Sequence, residues 1–187
     1  KAEVNSKDTS GRTPLSWAAE YGYEAIAKLL LEHKAEVDLK DTSGRTPLSW
    51  AVRNWCEAVA KLLLEQKAEI NSKDTSGRTP LSWAAGDGCE VVTKLLLEQK
   101  AEVDSMDESG RTPLLHAIEN GYEAEENGHV SVVKLLLEQN AEIGSMDGFG
   151  LTPLRWATIY GSNAIRKLVL EHKSAQDDAK NSSDSDT

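Results

Sequence analysis

Large aromatic side chains are scarce in this chain of 187 residues. Aromatic residues make up 5% of the sequence, with a single phenylalanine, while the hydrophobic share reaches 39%. A compact globule of this size normally buries more rings, because aromatic side chains dominate most cores. The scarcity therefore favours a repetitive architecture whose core is built from leucine, alanine and valine.

Clustered positive charge is missing as well. The formal net charge is −10, from 21 lysines and arginines against 31 aspartates and glutamates. Binding to nucleic acid or to an anionic membrane surface needs concentrated lysine and arginine, so we expect neither kind of partner. The acidity has two interpretations: it keeps the chain in solution, or it attracts a basic protein partner.

Cysteine is almost absent, and no segment is apolar enough to span a membrane. Cys56 and Cys89 lie 33 residues apart, at equivalent places in neighbouring repeats. Stacked helices are roughly 8–10 Å apart, beyond the roughly 7 Å between α-carbons that a disulfide allows. We therefore expect two free thiols and an intracellular protein, with cytoplasm and nucleus left open.

All five prolines lie in one repeated motif, Thr-Pro-Leu, with spacings of 33, 33, 33 and 40 residues. The motif begins at Thr13, Thr46, Thr79, Thr112 and Thr152. A second motif, KLLLE or KLVLE, follows it in every repeat. Self-similarity at this period indicates a stack of repeated units. The predicted divisions are a tail of a preceding unit (1–7), unit 1 (8–40), unit 2 (41–73), unit 3 (74–106), unit 4 with a seven-residue insertion (107–146), a capping unit 5 (147–175) and a disordered acidic tail (176–187).

The first unit shows the expected local structure. Residues 8–11 have turn chemistry, and Thr13 with Pro14 supplies a helix N-cap and a first helical residue. Gly22 ends this short helix, and a second helix is predicted from residue 24 to residue 33. The apolar face of the second helix consists of Ile26, Leu29 and Leu30. A unit this small cannot bury both helices alone, so the units must stack on one another.

A tryptophan recurs at one position of the first helix. It occupies this position in four units, as Trp17, Trp50, Trp83 and Trp156, and His116 takes its place in unit 4. A large ring at a fixed position predicts that the rings form core between the units. The alternative is an exposed aromatic platform for a ligand.

The pattern D-x-x-G-R-T-P-L-x-x-A-A-x-x-G, followed by V/I-x-K-L-L-L-E and A-E-V-N/D, resembles the ankyrin repeat. The resemblance covers about residues 8–175. It implies an all-α ankyrin-repeat solenoid of stacked helix-turn-helix units with hairpin-like turns, a concave face lined by the first helices, and binding to other proteins. The GRTPLSWAA variant is also similar to ankyrin arrays of filamentous-fungal multidomain proteins, in which an NTPase or effector domain often precedes the repeats.

The sequence departs from the family pattern at three positions. The family's histidine after Thr-Pro-Leu is replaced by Ser16, Ser49, Ser82, Leu115 and Arg155, so its hydrogen bonds must be replaced or lost. The glycine that usually closes the second helix is replaced by Lys34, Lys67, Lys100, Asn140 and Lys173. These residues either accept a left-handed conformation, at a cost of about 1 kcal/mol, or the turn differs. Trp55 replaces the glycine between the helices of unit 2, where it packs on a neighbouring loop or contacts a partner.

The ends of the array and one insertion are also unusual. The polar residues Thr158 and Arg166 predict that unit 5 is a cap. Residues 1–5 match the end of a preceding unit, so we expect a longer array or a piece of a larger protein. The insertion at 119–125 brings an acidic group that is either a tolerated surface loop or a specific contact. Its members are Glu119, Glu123, Glu125 and Glu126.

No pattern for catalysis or metal binding is found in the sequence. The four histidines have no cysteine or carboxylate at metal-ligand spacing, and phosphate-loop, nucleophile-elbow and HExxH motifs are missing. We therefore expect no enzyme, no metal and no cofactor.

Recognition is expected where exposed positions vary between units. A ladder of arginines along the hairpin edge either pairs with the turn aspartates or receives an acidic partner. It comprises Arg12, Arg45, Arg78 and Arg111. Variable residues of the concave face are Glu20, Tyr21, Arg53, Asn54 and Asp87. An apolar group at the C-terminal end either anchors a partner or packs against the C-terminal tail or the last helix. It comprises Met146, Phe149, Leu151, Ile159 and Tyr160.

Together these features predict a protein-protein interaction module that binds a partner on its concave face and hairpin tips and is monomeric as a fragment. The alternative is a regulatory or structural array that packs on another domain of a longer chain, for example an NTPase.

Overall fold

The computed structural model describes residues 3–121 and 128–184, and within these ranges it contains ten α-helices and no strand. In chain order they are α1 Pro14–Glu20, α2 Glu24–Glu32, α3 Pro47–Arg53, α4 Glu57–Glu65, α5 Pro80–Gly86, α6 Glu90–Glu98, α7 Pro113–Asn120, α8 Gly128–Glu138, α9 Pro153–Ile159 and α10 Asn163–Asp184. The predicted all-α class and the two helices per unit are confirmed.

The units stack in one direction through both helices. The first helices contact each other in series from α1 to α9, and the second helices do the same from α2 to α10. The interfaces are filled by aliphatic side chains that are fully buried, and the first helices contribute Leu15, Leu48, Leu81 and Leu114. The core is therefore continuous along the stack, as expected of a solenoid.

Each first helix is capped by the threonine of its Thr-Pro-Leu motif. The backbone N–H of Ser16 donates to the Thr13 hydroxyl oxygen at 3.2 Å, and the two buried hydroxyl groups are 3.1 Å apart. The same hydroxyl pairs join Thr46 to Ser49 at 3.2 Å and Thr79 to Ser82 at 3.1 Å. In units 1 to 3 these pairs replace the hydrogen bonds that a family histidine would make.

The second helices of four units end on a residue with left-handed backbone. The φ angles are 67° for Lys34, 64° for Lys67, 63° for Lys100 and 59° for Asn140. The first of the two alternatives is thus correct for these units, since the residues adopt a conformation that favours glycine. Unit 5 differs, because Lys173 lies inside α10.

Replacing Lys67 with glycine is expected to raise the free energy of unfolding by about 1 kcal/mol, because it removes left-handed strain from an exposed residue. Urea unfolding measures the change. The matched control is Lys61→Gly, the same substitution in the middle of α4, which should lower stability by about 1 kcal/mol. A loss of stability in both variants would show that the left-handed turn is not strained.

The outer face of α2 is uncovered in the described residues. Ile26 is 49% exposed, whereas Val59, its counterpart in unit 2, is fully buried by unit 1. The apolar face of α2, with Ile26 and Leu29, is therefore exposed in unit 1, since burial of this face needs a stacked neighbour. At the other end, Thr158 is exposed where Ala19 is buried.

The C-terminal segment differs from its prediction. Residues 176–184, expected to be disordered, continue α10 as far as Asp184, while residues 185–187 lie outside the described residues. The segment after Gly161 has neither glycine nor proline to stop the helix. A pair one turn apart, Lys173 Nζ to Asp177 Oδ2 at 2.7 Å, adds support along the extended helix. Residues 122–125 of the predicted insertion, with Glu123 and Glu125, lie outside the described residues, as does Glu126.

Candidate functional site

The turn that opens each unit is organised by one aspartate. In unit 3 the Asp74 Oδ1 oxygen accepts the backbone N–H groups of Ser76 at 2.9 Å and Arg78 at 3.0 Å. Its Oδ2 oxygen accepts the indole N–H of Trp83 at 3.1 Å. The same indole bond forms in the other tryptophan units, at 2.9 Å to Asp8, 3.0 Å to Asp41 and 2.9 Å to Asp147. Each of these four tryptophans is therefore fixed to the turn of its own unit.

The arginines of the predicted ladder lie between the tryptophan rings. The Arg12 guanidinium carbon is 3.7 Å from the Trp17 ring centroid and 3.8 Å from that of Trp50. Arg45 lies 5.0 Å from Trp50 and 5.1 Å from Trp83. Cations over ring faces are attracted by the ring quadrupole, so these contacts link each unit to the next. We call this arrangement the Trp–Arg column, and it comprises Arg12, Trp17, Arg45, Trp50, Arg78 and Trp83.

The same arginines are paired with carboxylates of the array. Arg45 Nε is 3.8 Å from Asp74 Oδ2, an aspartate of the following turn rather than of its own. Arg78 makes the equivalent pair with Asp107 at 3.9 Å. At the two ends the partners are glutamates, with Arg12 bonded to Glu20 and Arg111 3.0 Å from Glu119. Much of the positive charge of the ladder is thus paired with carboxylates of the array itself.

The prediction that the tryptophans form core is correct only in part. Trp50, Trp83 and Trp156 pack against the core at its edge, and Trp17 remains 38% exposed. The inter-unit core itself is aliphatic. The indoles instead tie the turns to the first helices through their N–H groups and stack on arginine through their faces.

A groove of about 620 Å³ lies at the C-terminal ends of α1, α3 and α5, on the side predicted to be concave. Its lining residues are Glu20, Trp50, Arg53, Asn54, Trp55 and Asp87. Four of them are among the predicted partner-binding residues, which the structure therefore brings together; Trp50 and Trp55 were not in that group. We call this cavity the concave groove.

The charged groups of the concave groove differ in their partners. Glu20 is held by Arg12, and the Arg53 guanidinium lies 5.8 Å and 4.9 Å from the rings of Trp50 and Trp83. Asp87 is half-buried, and its carboxylate makes no hydrogen bond or ion pair within the described residues. Burial raises the pKa of Asp87, although the positive charges of Arg53 and Arg78 oppose the shift. Asp87 is thus a groove carboxylate with no direct hydrogen bond or ion pair in the described residues, although Arg53, Arg78 and His129 lie near enough to act on its charge.

Trp55 has a strained backbone and an exposed ring. Its φ angle is 59°, at a position where Gly22 and Gly88 have 69° and 67°. Left-handed backbone at a non-glycine residue costs on the order of 1–3 kcal/mol. The side chain is 60% exposed, and its indole makes no hydrogen bond or ring contact within the described residues. The glycine-to-tryptophan change at this position was the signal in the sequence for this part of the site.

The other predicted site residues lie outside the concave groove. Tyr21 stacks on Trp17, with centroids 6.0 Å apart, at the N-terminal edge. In the apolar C-terminal group, Met146 is 66% and Phe149 71% exposed, Ile159 and Tyr160 are also exposed, and Leu151 is half-buried. The extended α10 lies beside residues 140–144 through Lys173, Gln176 and Asp177, and leaves Met146 and Phe149 uncovered.

Other chemistry is limited in the described part of the chain. Cys56 and Cys89 are free thiols. Within residues 3–121 and 128–184, no three side chains of His, Cys, Asp or Glu converge as a metal ion would require. None of the helices in these ranges combines the length and the hydropathy needed to cross a bilayer.

The model for a family of ankyrin repeats in three copies matches residues 1–74, 66–125 and 123–186. The chain therefore belongs to the ankyrin-repeat family, in agreement with its stacked helix pairs. A search of curated proteins finds no significant match. Ankyrin repeats are in general modules that bind other proteins, and the family is not catalytic.

Proposed function

We propose that this chain is a protein-interaction module and that its concave groove receives a segment of the partner. The observation that carries the proposal is Trp55, a large ring held in strained backbone with most of its surface exposed. Exposed tryptophans are frequent anchors of interfaces. The family's general role in binding proteins supports the same conclusion.

Lysines at the hairpin tips already make hydrogen bonds between units. Lys7 donates to the carbonyl of Lys40 at 2.8 Å, Lys40 to that of Lys73 at 2.9 Å, and Lys73 to that of Met106 at 2.7 Å. Tips and arginines are thus partly occupied by contacts between units. We therefore place the principal contact in the concave groove and propose the apolar C-terminal group as a second anchor.

A pull-down with residues 1–187 as bait, from an extract of the producing cells, tests the proposal. The baits are the unchanged chain, Trp55→Gly, the double variant Phe149→Ser with Leu151→Ser, and the control Lys94→Gln on the exposed face of α6. We expect a protein that the unchanged chain and the control retain and that Trp55→Gly recovers at least about fivefold less, the usual scale for an interface anchor. Equal recovery by all baits would contradict both proposed contacts.

The alternative, an array that packs on another domain of a longer chain, stays a prediction. The uncovered face of α2, with Ile26 49% and Leu29 54% exposed, is the surface such a domain would cover. We also propose an intracellular location, for which the two free thiols are the support. Co-purification of the bait with a separate protein, rather than with a piece of its own longer chain, distinguishes the two functions.

A further inference from the structure

We propose that the partner segment carries an arginine, which enters the concave groove, stacks on Trp55 and pairs with Asp87. This inference rests on the proposed function and adds the chemistry of the partner. It follows from the carboxylate, the ring faces and the charge balance of the groove.

The carboxylate of Asp87 is the anchor for a positive charge. It is half-buried and makes no direct hydrogen bond or ion pair in the described residues, although the charges of Arg53, Arg78 and His129 act on it. Glu20, the other carboxylate of the groove, is already bonded to Arg12. A carboxylate that has lost part of its hydration is stabilised by a cation that supplies hydrogen bonds. The raised pKa of Asp87 has the same physical origin, since burial penalises its charged form.

The rings of the concave groove favour a cation over an anion. Trp50 and Trp55 both line it, and the Trp55 indole makes no hydrogen bond, ring contact or cation-π contact in the described residues. Ring faces attract positive charge, as the arginines of the Trp–Arg column already show within this molecule. Arginine suits the site better than lysine, because its planar guanidinium can stack on an indole and form two parallel bonds to one carboxylate.

An acidic partner segment fits the same groove poorly. Arg53 is the only cation among the six lining residues, and its guanidinium already lies over the rings of Trp50 and Trp83. A carboxylate entering the groove would face Glu20, Asp87 and the negative faces of the indoles. The formal net charge of −10 adds a long-range preference for a basic partner.

Three blocked peptides, tetra-arginine, tetra-lysine and tetra-glutamate, test the inference by calorimetric titration into the full chain. We expect tetra-arginine to bind at least about threefold more tightly than tetra-lysine, the advantage of a planar, two-bonded cation. No binding of tetra-glutamate is expected. Asp87→Asn should weaken tetra-arginine binding roughly tenfold, the scale of a charge-assisted pair. The charge-matched control Glu98→Gln, on exposed α6, should change it by less than about twofold.

Trp55→Gly supplies a second readout that a structural role would not produce. Glycine is the residue at the equivalent positions 22 and 88, so the variant should unfold at a higher urea concentration than the unchanged chain. At the same time it should bind tetra-arginine roughly fivefold more weakly. Retained affinity in this variant would overturn the stacking on Trp55.

Failure of the inference is separable from failure of the proposed function. Equal effects of Asp87→Asn and Glu98→Gln would mean general charge attraction and overturn the inference. Binding of tetra-glutamate, lost on Trp55→Gly, would overturn it while supporting a groove that binds protein. If none of the peptides binds below about 1 mM, near the weak limit of specific affinity, the arginine inference is overturned. The pull-down then decides the function independently.

Discussion

Replacing Asp74 with alanine is expected to lower the free energy of unfolding by about 3–5 kcal/mol. The buried carboxylate of Asp74 accepts two backbone N–H groups and the indole N–H of Trp83, and it lies 3.8 Å from Arg45. Alanine leaves three donors and a cation without their acceptor, and an unsatisfied buried donor costs about 1–3 kcal/mol. Because small proteins are stable by only about 5–15 kcal/mol, this loss is a large fraction of the total.

Urea unfolding followed by circular dichroism measures the loss. A solenoid depends on contacts between neighbouring units, and Asp74→Ala weakens the contact between units 2 and 3. We therefore also expect the unfolding transition of this variant to be broader, or to split into two steps. Asp8→Ala is the matched control: it removes the same turn bonds from an exposed aspartate at the end of the array, where water replaces them, and should cost less. An Asp74→Ala loss below about 1 kcal/mol would contradict the structural role of the turn aspartates.

Acidification is expected to destabilise the array through His116. This residue replaces tryptophan in unit 4, is almost fully buried, and lies with Nε2 3.0 Å from Asp107 Oδ2. Burial, together with the charges of Arg78 and Arg111, lowers the pKa of His116 from 6.5 to about 4, although Asp107 opposes the shift. Between about pH 6.5 and pH 4, the unfolded chain thus binds a proton on this histidine, whereas the folded chain keeps the histidine neutral. The shift contributes roughly 3 kcal/mol to the free energy of unfolding. This contribution is fully present above about pH 6.5 and is lost as the pH falls to about 4.

The contribution of His116 is isolated by comparing how the unfolding free energy depends on pH in the unchanged chain and in His116→Trp. His116→Trp restores the residue of the other units and removes the titrating group, while every other group is common to both proteins. The unfolding free energy of the unchanged chain should fall relative to that of the variant between pH 6.5 and pH 4. Curves that stay parallel over this range would show that His116 does not titrate with a lowered pKa.

The fold could be predicted because its signals repeat. Thr-Pro-Leu at a spacing of 33 residues gives the helix starts, and the structure places the caps at the predicted threonines. The prediction of disorder for residues 176–184 was wrong because it depended on composition and not on a repeated signal. Low hydropathy predicts that residues do not form a core, but it does not stop a helix that already runs without glycine or proline.

The role of the tryptophans was harder to predict, because a large ring at a fixed position fits a core as well as a hydrogen-bonded edge. The distinguishing signal was present, since an aspartate precedes each column tryptophan by nine residues, as Asp74 precedes Trp83. The groove residues Glu20, Arg53, Asn54 and Asp87 were predicted because they vary between units. The stacking of arginine between rings of adjacent units was not predictable, since it depends on how closely the units approach.

Four tryptophans hold the array together, whereas the fifth, Trp55, is the one that we propose contacts the partner. The indole N–H signals in a ¹H–¹⁵N spectrum, recorded with and without tetra-arginine, test it most directly, because the chain has five tryptophans and each gives one signal. We predict that the Trp55 signal shifts most on binding, with a smaller shift for Trp50. The Trp156 signal, hydrogen-bonded to Asp147 and outside the concave groove, should stay in place. A stationary Trp55 signal beside a shifting Trp156 signal would contradict the claim.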